Sequence, residues 1–161
     1  MKTPLRPNSR DYIISRPGFE NAFKHTVRNP IESKVCEWLM RRNIAHRHAS
    51  EPFVLKVPRS GYETYVPDII LHDKREKKRV VIETLHQDYP RKGRTLILAS
   101  FRKSWKESYF LILVTNSYSG FDIAKGAFDI LVDVTALDVL EKEVPPPPGE
   151  YLKDFLSSTP R

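Results

Sequence analysis

The sequence predicts a single α/β domain with a central mixed β-sheet flanked by helices. Three observations point there. A helix-like segment is followed by three short strand-like runs, a second helix and a continuously apolar strand. A helix between the third and fourth strands permits a parallel crossover, which mixes the sheet. The 161 residues, 40% of them hydrophobic, suit one core rather than two.

The first helix is expected over residues 30–43. Pro30 suits a first helical turn, and Glu32 favours the positive end of the helix dipole. Ile31, Val35, Trp38 and Leu39 recur at helical spacing, and Asn43 is the expected stop. Strands are expected at 52–57, 64–71 and 79–84. The turn Arg59-Ser60-Gly61 separates the first two. The charged run from His72 to Lys78 separates the last two, so they are expected to form a hairpin with a solvated tip. A second helix is expected over 91–106, with Leu96, Ile97, Ser100 and Phe101 inward. The apolar segment 109–115 reads as a central buried strand. A short helix near 121–126, a strand near 128–132 and a last helix over 135–143 capped by Thr135 complete the order.

Three regions follow. Residues 1–29 form a basic arm, 30–144 the α/β domain, and 145–161 a Pro-rich acidic tail that opens on four prolines, Pro145–Pro148. The net charge is +7, unevenly spread. Residues 1–132 hold 24 basic against 14 acidic residues, and residues 133–161 hold 3 against 6. A basic body with an acidic tail fits a polyanion partner. No apolar run approaches the roughly 20 residues that span a bilayer, and the basic start lacks the apolar stretch of a signal peptide. No membrane partner and a cytoplasmic location are expected.

The sole cysteine, Cys36, excludes an intrachain disulfide and reads as a helix core position. His25, His46, His48 and His72 show no zinc-like spacing with it, so no zinc site is expected. No glycine-rich phosphate loop and no internal repeat is present.

Three acids stand out by context. Glu32 opens the first helix, Asp68 follows Pro67 inside an apolar strand, and Glu83 ends the run Val80-Val81-Ile82. A carboxylate in an apolar strand is costly unless it is paired, hydrogen-bonded or bound to metal. A hairpin can set Asp68 beside Glu83 at one end of the sheet. Two such carboxylates suit Mg²⁺, which can activate water and stabilise charge on a phosphate. Each acid also has a structural alternative: a helix-dipole charge for Glu32, a bulge for Asp68, an ion pair with Arg79 or Lys78 for Glu83.

With these residues in this order, the chain resembles the PD-(D/E)xK nucleases, the restriction-endonuclease-like superfamily, over about residues 30–115. The resemblance implies a restriction-endonuclease-like α/β fold. It implies a metal-dependent endonuclease hydrolysing phosphodiester bonds in DNA, with Mg²⁺ or Mn²⁺ held by Asp68, Glu83 and Glu32, and it allows a homodimer. The departure is Leu85, which stands where that superfamily has its lysine, two residues after the second acid and on the same face of the strand. Lys92, at the start of the next helix, is the first candidate for the substitute cation, ahead of Lys103, Arg91 and Lys56. Lys92, Arg94, Arg102 and Lys103 are the expected phosphate contacts. His86 could serve as general base or ligand, or simply as a polar strand end. The alternative to an enzyme is a degenerate nuclease fold that binds nucleic acid or a protein without cutting, a reading that Leu85 favours.

Overall fold

The structure is a computed structural model in which residues 18–86, 94–116, 123 and 126–145 are described. Lys92, Arg91, most of the 121–126 segment, residues 1–17 of the arm and the tail from Pro146 onward lie outside the described residues.

The chain enters through a small antiparallel pair, β1 (Phe19–Glu20) and β2 (Thr26–Val27), and runs into α1 (Pro30–Arg41). Asn29 caps α1: its side chain accepts from the Glu32 N–H at 2.9 Å, and Pro30 takes the first turn, where no N–H is needed. Asn43 stops the helix in a left-handed conformation, φ 54°, which asparagine tolerates well. Strands β3 (His46–His48), β4 (Phe53–Val57), β5 (Gly61–Tyr65), β6 (Ile69–Arg75) and β7 (Lys78–Leu85) follow, then α2 (Arg94–Trp105), β8 (Tyr109–Thr115), β9 (Ile130–Asp133) and a 3₁₀ helix over Val134–Lys142.

The central sheet has five strands in the order β3-β6-β7-β8-β9. β3, β6 and β7 pair antiparallel, whereas β7, β8 and β9 run parallel, so the mixed α/β architecture is as expected. β4 and β5 form a separate hairpin laid over one face. Side-chain alternation divides the core in two. Val80, Ile82, Ile112 and Val114 face α1 and the 3₁₀ helix; Val81, Leu111 and Leu113 face α2 and the β4–β5 hairpin, packing with Phe53, Tyr65, Leu98 and Phe101. No described helix is long and apolar enough to cross a membrane.

Several expectations need correction. The run 64–71 is two strands, not one. Its first part belongs to the β4–β5 hairpin, and its second part joins the central sheet. Pro67 lies at the break, where a residue without an N–H cannot serve a ladder. The charged 72–78 run is mostly strand: Lys74 faces Arg79, Arg75 faces Lys78, and the turn narrows to Glu76 and Lys77, with Glu76 at φ 56°. β3 was not foreseen; three residues carry too little pattern to read. On α2 the buried positions are Thr95, Leu98, Ser100 and Phe101, while Leu96 is 48% exposed. Arg94, Leu98 and Phe101 are spaced by four and three, so they share the inward face. The last helix is 3₁₀ and kinks at Ala136, and its cap is Asp133, which accepts from the Thr135 N–H at 2.9 Å.

Candidate functional site

The hairpin register sets the two sheet acids together. Ile69 pairs with Ile82, so the preceding and following residues, Asp68 and Glu83, meet at one end of the sheet. The Asp68 N–H points at Glu83 Oε2 across 3.4 Å. Asp68, Glu83 and Glu32 are all essentially inaccessible to solvent. Each therefore requires a compensating partner.

Asp68 Oδ2 accepts from the Thr84 N–H at 2.9 Å and from the Thr84 hydroxyl at 2.7 Å. Thr84 Oγ1 in turn accepts from the side chain of Asn29, the α1 cap, at 2.9 Å, which ties the start of the helix to the end of β7. Asp68 Oδ1 has a long contact, 3.4 Å, with the Arg28 guanidinium. Glu32 accepts from the Arg28 N–H at 2.9 Å and bonds His48 Nδ1 at 2.8 Å. With Asn29 bonding the Glu32 N–H, this is close to a capping box shifted by one residue. The acids are thus linked through Arg28, Asn29 and Thr84.

Glu83 is the more heavily buttressed. Tyr65 donates its hydroxyl to Oε2 at 2.9 Å, and Arg94 donates Nε to Oε1 at 2.7 Å with Nη2 closing a second contact on the same oxygen. The Arg94 guanidinium also lies 5.1 Å over the Tyr65 ring. Burial pushes the Glu83 carboxyl up to about 7; Arg94 opposes this and Asp68 adds to it. Burial works against the Arg94 charge, but Glu83 and Asp68 more than offset that and raise its pKa.

Arg94 was expected on a phosphate, yet its side chain is 14% exposed and spent on Glu83. It is a cation from the helix after β7, paired with the second acid. Leu85 is buried among the residues that pack under α2, so it is a core side chain. Arg102 pairs with Asp129 at 2.6 Å and with the Gly126 carbonyl at 2.9 Å. Lys103 lines an open cleft of 420 Å³ with Lys56, Lys106 and Arg102. That cleft lies further along α2, roughly 14 Å from Arg94 to Lys103 along the axis.

A second polar cluster lies on the other side of Glu32. His25, Cys36, His46 and His48 present one atom each to a common centre, all four within 4.8 Å of one another. Chain spacing gave no reason to expect this, because the four residues come from the β2 approach, α1 and β3. One signal was present: His46-Arg47-His48 is an alternating pair on an extended strand, which sets both imidazoles on one face. Burial pushes both His46 and His48 down to about 4.

No protein-family model matches the chain, and no curated protein matches it in sequence.

Proposed function

We propose that this chain is a metal-dependent nuclease acting on DNA, built on a restriction-endonuclease-like core. The observation that carries the reading is the meeting of Asp68 and Glu83 at one end of the sheet, with Glu32 linked to them through Arg28. The acids offer the oxygen donors that a hard divalent ion takes, but among the described residues Glu32, Asp68 and Glu83 do not gather as one set of ligand atoms within 4.8 Å of one another, so an ion on all three would have to draw them closer. Among the described residues the Arg28 guanidinium reaches Asp68 and the Arg94 guanidinium holds Glu83. Oxygen ligands suit Mg²⁺ or Mn²⁺. Asp68 and Glu83 would hold the ion, with Glu32 completing the site.

A bound ion would supply a water of lowered pKa and stabilise charge on the scissile phosphate. The chain's own residues do the positioning. Thr84 orients Asp68 through two bonds to Oδ2, and among the described residues Oδ1 has the long Arg28 contact. Tyr65 and Arg94 hold Glu83. Arg94 cannot give up its proton, so it serves as a fixed positive charge rather than a base. Lys56, Lys103 and Lys106 supply phosphate contacts along α2 and β4.

A second reading is a degenerate nuclease fold that binds nucleic acid without cutting. It is favoured by Leu85, locked into the core where the superfamily's lysine would act, and by the protein partners each acid already has. Supercoiled plasmid incubated with the full chain, with and without Mg²⁺ or Mn²⁺, separates the two. Cleavage that requires added metal and disappears in Asp68→Asn supports the nuclease. Salt-sensitive binding with no cleavage under either ion supports the degenerate fold.

A further inference from the structure

We propose that His25, Cys36, His46 and His48 form a structural Zn²⁺ site that clamps the N-terminal hairpin onto α1 and the edge strand β3. The argument begins with the distances. Zinc held tetrahedrally at about 2.0–2.1 Å from nitrogen and about 2.3 Å from sulfur places its ligands about 3.3 Å apart for nitrogen pairs and about 3.5 Å for sulfur–nitrogen pairs. Here His25 Nδ1 lies 3.3 Å from His48 Nε2. Cys36 Sγ lies 3.4 Å from His25 Nδ1 and 3.3 Å from His46 Nε2. These three distances match edges of a zinc-sized tetrahedron, and the other three edges lie within 4.8 Å.

The outer nitrogens are arranged to match. His46 Nδ1 bonds the Ile44 carbonyl at 2.9 Å, and His48 Nδ1 bonds Glu32 Oε1 at 2.8 Å. Each of these bonds uses the Nδ1 proton and leaves an Nε2 lone pair directed at the centre. A carbonyl or carboxylate behind the imidazole is what zinc-bound histidines usually have. Three nitrogens and one sulfur suit zinc rather than Mg²⁺ or Ca²⁺, and four protein ligands close the coordination shell, as in structural sites.

The local sequence explains how the four ligands meet. Asn21 Oδ1 accepts from the Phe23 and His25 N–H groups and shapes the turn that delivers His25. Cys36 sits on the inward face of α1 with no solvent exposure. β3 is a three-residue edge strand with little core of its own. A bond from each element to one ion would fix all three. The histidines are only partly buried, which leaves a path of entry. On binding, Cys36 releases its thiol proton to solvent as the sulfur–zinc bond forms.

The test uses the full chain loaded with ZnCl₂, desalted and assayed by plasma mass spectrometry. One zinc per chain is expected. Cobalt substitution should give the visible bands of a tetrahedral ion and a near-ultraviolet thiolate-to-cobalt charge-transfer band, the latter lost in Cys36→Ser. His46→Ala should weaken zinc binding by more than about a hundredfold, beyond the loss usual for an outer-shell change. Asp68→Asn should retain one zinc per chain, because it removes no ligand, and this separates the site from the acids. If His46→Ala does not fold, wild type decides. Chelation should lower its melting midpoint, and ZnCl₂ but not MgCl₂ should restore it. A desalted chain without zinc, a cobalt form without the charge-transfer band, or zinc held equally well by Cys36→Ser and His46→Ala overturns the proposal.

Discussion

Arg94→Met is the substitution that most directly probes how the acidic end of the sheet is held. Methionine keeps much of the length of the stem but removes both guanidinium bonds to Glu83 Oε1 and the charge over Tyr65. The partner left behind is 1% exposed, so water cannot take the place of the guanidinium. Removing one member of a buried pair generally costs about 3–5 kcal/mol, because the other charge is stranded. The cost must depend on pH. The Glu83 carboxyl is held up to about 7 with Arg94 in place. A carboxyl with a raised folded pKa favours the folded state most below its ordinary range, and that contribution falls as pH rises through the folded value. Without Arg94 the carboxyl is pushed higher still, so the same fall continues to higher pH.

At pH 8 the variant should therefore be destabilised by about 3–5 kcal/mol. At pH 5, where the carboxyl carries its proton in both proteins, no charge is stranded on Glu83; the hydrogen bonds and the weaker contacts of the guanidinium with Tyr65 and Asp68 are what is lost, and the deficit should shrink to about 1–2 kcal/mol. Urea unfolding at the two pH values measures both numbers. Adding Glu83→Gln should recover part of the pH 8 deficit, since the stranded charge is gone. An equal deficit at both pH values, or a larger one at pH 5, would refute the reasoning by showing that Arg94 does not face a carboxylate in the folded protein.

Two further outcomes follow from the same packing. Leu85→Lys restores the superfamily's residue in name, but Leu85 is 3% exposed beneath α2. The variant should be destabilised by at least about 3 kcal/mol in thermal or urea unfolding, from reduced apolar burial and a buried ammonium; undiminished stability would mean that this position opens readily. Replacing Lys56, Lys103 and Lys106 together by Ala should reduce the slope of log affinity for DNA against log salt by as much as about 2–3, because each lysine–phosphate pairing accounts for about 0.9 of that slope. An unchanged slope would place the DNA elsewhere.

The fold was legible where periodicity ran long. α1 shows an apolar stripe and a proline start, and β7 and β8 are continuous apolar runs of the kind found in buried parallel strands. What stayed hidden was set by residues distant in sequence. Thr64–Leu71 reads as one run, yet Tyr65 and Ile69 serve different sheets, and only tertiary pairing shows that Pro67 divides them. The convergence of Asp68 and Glu83 was readable because hairpin register follows from short connections. Arg94 was expected on a phosphate because the inner face of α2 was placed on Leu96, Ile97, Ser100 and Phe101; with Leu98 buried instead of Leu96, Arg94 lies in line with Leu98 and Phe101 and meets Glu83. The histidine–cysteine cluster was hidden for a different reason. Its ligands come from a turn, a helix and an edge strand, and no fixed spacing connects them.

The two polar clusters share one imidazole, and this governs how each can be tested. His48 Nε2 faces the cysteine and the other histidines, while His48 Nδ1 holds Glu32 Oε1. Glu32 is held on its other oxygen by the Arg28 N–H, and the Arg28 guanidinium reaches Asp68. An ion fixing the His48 ring would also fix Glu32, and the ordering would pass through Arg28 to the sheet acids. A substitution at His48 therefore disturbs both clusters and separates nothing. His46 bonds a backbone carbonyl rather than an acid, so His46→Ala removes one cluster's ligand without touching Glu32. Asp68→Asn removes no ligand of the cluster, since the Asp68 side chain bonds Thr84 and Arg28 and its N–H meets Glu83, although its charge also acts on His48. If His46→Ala loses zinc and also slows metal-dependent cleavage, while Asp68→Asn abolishes cleavage and keeps zinc, the coupling runs from the histidine cluster toward the acids through the His48–Glu32 bond.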